Sequence, residues 1–149
     1  MVTVRKLDRV SLSMLSLLVD ESQREGFRFI RRLLRDYEEG TNRFDQLGEC
    51  LVGAYASDGQ LIAIAGLNTD PYCDATRVGR LRRFYVSRPY RRKGTGTLML
   101  ESIIQYAKPN YDVLTLYTDS KKADRFYTSF GFSRLAQHRS TNTSHYLYL

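Results

Sequence analysis

The stretch Leu81-Arg82-Arg83-Phe84-Tyr85-Val86-Ser87-Arg88-Pro89-Tyr90-Arg91-Arg92-Lys93-Gly94-Thr95-Gly96-Thr97 decides how this chain is read. Leu81 to Val86 reads as a strand, interrupted by Pro89, which cannot donate to a ladder. A basic loop follows and runs directly into a helix, where Leu100, Ile103, Ile104 and Ala107 recur at i, i+3, i+4 and i+7 until Pro109. Glycines at 94 and 96 remove side chains that would block the backbone, so successive N–H groups can turn toward one anion. The helix start near Gly96 adds unpaired N–H groups and the positive end of its dipole. Strand, loop and helix together make a cradle suited to a pyrophosphate. As a bare pattern, a basic loop with two glycines fits a solvated connector equally well. Two other nucleotide folds are excluded: no Gly-x-x-x-x-Gly-Lys-Ser/Thr is present, and Met99 stands where a dinucleotide fingerprint needs its third glycine.

Outward from this stretch, periodicity supplies the other elements. Val2 and Val4 alternate as a short first strand, and Ser11 stands where an N-cap opens a helix with Leu15, Leu18 and Val19 on one face. A second helix is predicted over Phe27 to Glu39. Two apolar runs, Cys50 to Ala56 and Leu61 to Leu67, flank Ser57-Asp58-Gly59-Gln60, whose Asp-Gly tip signals a hairpin. Beyond the polar loop Asn68 to Thr76 and the central strand-loop-helix unit, Val113 to Thr118 is a continuous apolar run, typical of a strand covered on both faces. A fourth helix places Ala123, Phe126, Tyr127 and Phe130 on one stripe with Gly131 as its cap. Phe132 to Ala136 and His145 to Leu149 close the chain as strands. The order β-α-α-β-β-β-α-β-α-β-β contains one strand-helix-strand crossover, which needs a parallel pair. The expected fold class is α/β of the mixed-sheet, α+β kind. It has a mostly antiparallel central sheet, one parallel strand pair and about four flanking helices, in one domain over residues 1–149. The last strand, Tyr146 to Leu149, is apolar enough to complete an intermolecular sheet, so monomer and homodimer both stay open.

Composition bounds the function. A chain of 149 residues with 42% hydrophobic and 26% charged residues is that of an ordinary globular protein. The net charge of +7 is local: eight of the 23 basic residues and none of the 16 acidic ones lie between Arg77 and Lys93. One segment gripping an anionic ligand accounts for this better than a stripe for duplex nucleic acid, which would draw on several elements. Cys50 and Cys73 fit neither a disulfide framework nor a metal motif, which favours a reducing cytoplasm. Leu12 to Val19 imitates a secretory signal only faintly, since serines interrupt it and Asp20-Glu21-Ser22-Gln23-Arg24 follows. No apolar stretch approaches a membrane span, so no membrane partner is expected.

The central stretch resembles the acyl-CoA-binding motif of the GNAT N-acetyltransferase superfamily, Arg/Gln-x-x-Gly-x-Gly/Ala after a strand of the Leu-Tyr-Val type. Phe84-Tyr85-Val86 and Arg91 to Gly96 match it. Ala123-Asp124-Arg125-Phe126-Tyr127-Thr128-Ser129-Phe130-Gly131-Phe132 looks like the family's second motif, Ala-x-x-Phe-Tyr-x-x-x-Gly-Phe. Two motifs in order, one helix and one strand apart, are far more specific than either alone. The resemblance covers about residues 48 to 149. It implies that the backbone around Tyr85, at Phe84 and Val86, pairs with the pantetheine arm of acetyl-CoA as an added strand would. By the same resemblance the amides of Arg92, Lys93, Gly94, Thr95, Gly96 and Thr97 hold the pyrophosphate and Arg91 sets the loop's shape and charge. The other arginines are left for the 3′-phosphate. Ser120 stands where relatives often place a cofactor-binding asparagine.

Acetyl transfer from a thioester to an amine needs a deprotonated amine, a stabilised oxyanion and a hydrogen bond or proton for the leaving thiolate. The resemblance puts Tyr127 in the general-acid position and the Val86 amide at the oxyanion; helical spacing alone reads Tyr127 as a core aromatic. A phenol near ~10 giving its proton fully to a thiolate near ~8.5 is uphill by roughly 2 kcal/mol, so a hydrogen bond that strengthens with developing charge is the safer role. The family's usual glutamate on the fourth strand is Arg80 here, and arginine is no base at ordinary pH. Water chains, Asp36, Glu38, Glu39, Asp70, Asp74 or an already neutral amine remain as alternatives. His138 and His145 are read as structural or exposed, with no metal, and Cys73 has no adjacent base.

The expected activity is therefore direct transfer of acetyl from acetyl-CoA to a primary amine, on a small molecule or a protein, in a ternary complex. Acceptor selection is assigned to Glu21 to Glu39, Asn68 to Thr76 and Gln137 to Ser144, and Asp36, Glu38 and Glu39 would suit a cationic amine. A non-catalytic acyl-CoA sensor, permitted by Arg80, is the alternative; a nucleic-acid-binding domain is a distant third.

Overall fold

The structure, a computed structural model, describes residues 1–136 and 142–149. The chain runs β1 (Thr3–Leu7), α1 (Leu12–Arg24), α2 (Phe29–Glu39), β2 (Cys50–Tyr55), β3 (Leu61–Thr69), β4 (Val78–Val86), α3 (Thr95–Ala107), β5 (Val113–Leu116), α4 (Lys121–Phe130), β6 (Ser133–Arg134) and β7 (His145–Tyr148). A single 3-10 turn at Arg88–Tyr90 absorbs Pro89. The strands form one sheet in the order β1-β2-β3-β4-β5-β7-β6, antiparallel except at β4–β5. This is the mixed sheet with one parallel pair and four helices that the element order requires.

Two apolar layers fix the helices to the sheet. Leu15, Leu18 and Val19 of α1 and Ile30 and Leu33 of α2 pack with Leu51 and Ile64 on one face. Met99, Leu100 and Ile103 of α3 and Tyr127 of α4 pack with Val52, Ile62 and Leu67 on the other. Ser11 caps α1, its Oγ accepting from the Met14 amide at 3.4 Å. The β2–β3 hairpin turns at Gly59, whose φ of +86° needs the missing side chain.

Several boundaries move. Helix α2 begins at Phe29 rather than Phe27, because no side-chain cap holds the Arg28 start and Phe27 lies outside, 41% exposed. Strand β5 ends at Leu116, where the chain bends so that Thr118 Oγ1 accepts from the Ser120 amide. The closing strand β7 lies between β5 and β6, and β6 covers its outer edge only at His145 and Tyr146, so the edge over residues 147–149 has no strand partner there among the described residues.

Two features open the sheet at its centre. In β4, Arg83 and Phe84 together oppose Ala65 of β3, a bulge in which Arg83 takes a φ of 58°. Strands β4 and β5 pair only over Val78–Arg80 and Val113–Thr115. Beyond Arg80 they diverge, and among the described residues Leu81 to Val86 has no strand partner on the β5 side.

Candidate active site

A cavity of about 470 Å³ occupies this divergence. Phe84 and Val86 line it from β4, Leu116, Thr118 and Ser120 from the end of β5, and Ala123 and Tyr127 from α4. Tyr127 belongs to the buried stripe, its ring edge-on to Phe84, Phe126 and Phe132 at centroid distances of 6.4, 5.3 and 5.5 Å. Its hydroxyl makes no hydrogen bond among the described residues, and since it is not among the fully buried unpartnered atoms it stays within reach of solvent where the residue lines the cavity. Burial pushes the phenol well above its ordinary value, so it stays protonated and a donor across the working pH range.

The loop between β4 and α3 is shaped by contacts to α1, some of them from residues that also line the cavity, Tyr85 and Arg91. Arg91 Nε donates to the Val86 carbonyl at 2.8 Å, and its two terminal nitrogens grip Glu25 of α1 at 2.9 and 2.6 Å. Glu21, one turn earlier, accepts from Ser87 Oγ at 2.8 Å and from the Arg88 amide at 2.5 Å. The Tyr85 hydroxyl donates to both carboxylates, and Arg91 stacks on its ring at 5.1 Å. Tyr85 is thus a buried strut against α1, leaving the open β4 edge to the backbone. Arg92 and Gly94 take left-handed φ values of 59° and 85°, and Gly94 opens α3. The six amides from Arg92 to Thr97 make no hydrogen bond among the described residues. Gly96 also serves packing: a Cβ there would come within 3.3 Å of the Phe126 ring, so glycine lets α3 approach α4. Thr95 is buried, and Arg92, Lys93 and Thr97 are exposed.

The Arg91 contact holds Glu25 down at about 2, below the ordinary 4.5. A carboxylate with a depressed folded value stabilises fully above its unfolded value and loses that contribution as pH falls through the folded one. The melting-temperature advantage of the native protein over Glu25→Gln should therefore hold steady above pH 4.5 and shrink as pH falls toward 2. A difference independent of pH would show that the clamp contributes nothing through charge.

Two further sets of residues were missed in sequence because their partners are far away in the chain. His145 Nε2 lies 2.7 Å from Asp124 Oδ1, and His145 Nδ1 lies 2.7 Å from Ser144 Oγ. Ser144 Oγ accepts from the Thr118 amide at 2.9 Å, so the array fixes the end of β5 rather than offering a nucleophile. Asp124 also takes Arg134 through two 2.8 Å bonds, and these hold its carboxyl far below the usual range. His145 is structural, as read, although a carboxylate does pair with it; His138 and the Gln137 to Thr141 part of the acceptor connection lie outside the described residues. Ser120 lines the cavity, but its hydroxyl caps α4 by accepting from Ala123 N at 3.2 Å.

Among the alternatives for a base, Asp70 is buried and bonded to Thr115 Oγ1 at 2.7 Å and to the Tyr72 amide at 2.9 Å, and it faces Arg80 at 3.6 Å. Asp36 pairs with Arg83 at 3.6 Å, Glu38 lines a separate groove between α1 and α2, and Glu39 and Asp74 are exposed. Among the described residues, no carboxylate or imidazole lines the cavity. The acidic side chains expected to draw a cationic amine are therefore directed elsewhere. Cys73 is exposed, and burial pushes the Cys50 thiol up to about 11.

The charge excess is also largely spent inside the fold. Arg77, Arg80, Arg83, Arg88 and Arg91 each have a carboxylate partner, while Arg82, Arg92 and Lys93 have none among the described residues. Too few unpaired cations remain in the segment to make a nucleic-acid stripe.

A divergent parallel pair, a strand edge unpaired among the described residues and a loop of free amides running into a helix suit an extended ligand that carries an anionic group. The chain belongs to the acetyltransferase (GNAT) family, whose model matches residues 13–132. A protein from Exiguobacterium sp. 255-15 described as a putative acetyltransferase is 31% identical, with 99% of this chain and 93% of that one covered at a TM-score of 0.85. Two others share the fold alone. A GNAT-family acetyltransferase from Staphylococcus aureus Mu50 is 19% identical, with 100% and 99% of the chains covered and a TM-score of 0.79. An acetyltransferase from Streptococcus agalactiae 2603 is 15% identical, with 99% and 98% covered and a TM-score of 0.78. A search of curated proteins finds no match. Among the described residues, no helix is long and apolar enough to cross a membrane.

Proposed function

We propose that the protein is a cytoplasmic, single-domain N-acetyltransferase that moves acetyl directly from acetyl-CoA to a primary amine bound in the same cavity. The observation that carries this reading is the β4 edge, unpaired among the described residues beyond Arg80, which leads into a loop whose six amides are free among those residues, with Tyr127 lining the cavity along that edge. The pantetheine arm adds to the β4 edge at Phe84 and Val86, and the pyrophosphate takes the amides from Arg92 to Thr97. Ser120 and the end of β5 close the opposite side. The Val86 amide receives the developing oxyanion, and Tyr127 donates to the departing sulfur.

The amine reaches this site without a neighbouring base. The cavity's lining carries arginines and no carboxylate, so its potential disfavours an ammonium and raises the neutral fraction of a bound amine. Water carries the proton away. Calorimetric titration with acetyl-CoA, with ADP as control, tests the reading: micromolar acetyl-CoA binding well above that of ADP supports the slot and the cradle. Equal weak binding of both would reduce the Arg91 to Gly96 loop to a basic surface loop and end the enzyme reading.

A further inference from the structure

We propose that the arginine-lined end of the cavity, built around Arg83 with Arg32 and Arg82, is a subsite for a carboxylate carried by the acceptor. The acceptor is then a small primary amine that bears a carboxylate, of which α-amino acids are the simplest members. This rests on the acyl-transfer reading of the same cavity.

The bulge in β4 carries the argument. It places Arg82 and Arg83 at the cavity on the side toward α2, one step before the Phe84–Val86 edge assigned to the cofactor arm. The Arg83 side chain is only 10% exposed, yet its nearest carboxylate, Asp36, stands at 3.6 Å, too far for a hydrogen bond. Its Nε is fully buried and has no partner among the described residues. A buried guanidinium normally spends its planar fork on a carboxylate or phosphate. Arg80, its neighbour, stands equally far from its carboxylate, Asp70, at 3.6 Å, but spends its fork on Thr143 Oγ1 and the Asn142 carbonyl. Arg83 Nε has no such acceptor among the described residues.

Its surroundings add more positive charge. Burial first, and then repulsion from Arg82, partly opposed by Asp36, with a smaller repulsion from Arg32, brings Arg83 down to about 10. One carboxylate thus faces three guanidiniums, and Arg82 has no ion pair among the described residues. Such a pocket repels polyamines and other polycations and is stabilised by an incoming oxyanion. Phe27 and Phe29, with ring centroids 5.5 Å apart, line the same end and leave an apolar wall for the acceptor's body.

The test measures thiol release from acetyl-CoA with apolar and aromatic α-amino acids, their carboxamides and their aminophosphonate counterparts. The acids should exceed the amides in kcat/KM by about tenfold or more, the worth of one charge-assisted hydrogen bond. In Arg83→Gln, and separately in the part-exposed Arg82→Gln, this preference should fall toward parity through KM, with calorimetric acetyl-CoA affinity retained. A native preference for amides, polyamines or aminophosphonates, or an acid preference that survives both substitutions, overturns the proposal. So does a loss of acetyl-CoA affinity in Arg83→Gln that 3′-dephospho-acetyl-CoA does not show, because the cluster would then serve the cofactor. If no amine turns over, the CoA-saturated protein is titrated with N-acetyl amino acids and their amides. Arg82-dependent binding of the acids keeps the subsite while acetyl transfer falls, and equal weak binding of both removes the subsite as well.

Discussion

Tyr127→Phe is expected to lower kcat for acetyl transfer by about a hundredfold while leaving calorimetric acetyl-CoA binding in place. The ring is held by Phe84, Phe126 and Phe132, and phenylalanine keeps all of those contacts. The deleted hydroxyl has no partner among the described residues, so folding stability should change by less than about 0.5 kcal/mol. What is lost is a donor at the cavity, where sulfur departs as thiolate. Because burial raises the phenol above its ordinary value, complete proton transfer to a thiolate near ~8.5 becomes more uphill, and the donor works by strengthening its hydrogen bond as charge develops. The kcat–pH profile should accordingly show no deprotonation step from this tyrosine below its ordinary value near 10. Unchanged turnover in Tyr127→Phe would return Tyr127 to the core stripe and favour an acyl-CoA sensor over a catalyst.

Much of the fold was readable from the chain because its signals are local. The Asp58-Gly59 tip, the Ser11 cap and the four-residue stripes of α3 and α4 each report a conformation within a few residues. Gly94 and its left-handed turn belong to the same group. Gly96 shows the limit of such reasoning: the glycine was noticed, but its packing reason is a ring 30 positions later, at Phe126. The α2 start was placed two residues early because nothing in sequence distinguishes an exposed Phe27 from the first residue of an amphipathic helix.

The candidate site was only half legible, and distance along the chain decided which half. Motif spacing located Tyr127 and the amide loop. The Glu25–Arg91 clamp joins residues 66 apart, and Asp124–His145 joins residues 21 apart across α4 and β7. No periodicity links such pairs, so Glu21 and Glu25 fall within the segment assigned to acceptor selection rather than to the loop they hold. The bulge at Arg83 was invisible for another reason: a non-glycine residue at positive φ follows from its tertiary setting and leaves no mark in composition. That single extra residue determines which arginines reach the cavity.

Asp70→Ala should cost about 3–5 kcal/mol of folding stability, read from urea denaturation, because it leaves the Arg80 guanidinium buried without its countercharge. The two side chains are 3% and 6% exposed, and burial already pulls Arg80 below its ordinary value against the opposing attraction of Asp70. Asp70 also receives Thr115 Oγ1, itself bonded to the Gly79 carbonyl, so the pair pins the last rung of the β4–β5 ladder before the strands part. Replacing both partners by apolar residues, as in Asp70→Leu with Arg80→Met, should recover much of the loss, since a buried pair is worth little over well-packed hydrophobic substitutes. The same variants decide whether Asp70 is the base. A structural counterion predicts that Asp70→Asn lowers stability and moves kcat little. A base predicts a large loss of kcat in addition to that loss of stability, and that result would mean Arg80 holds the catalytic carboxylate in place of the glutamate it displaced.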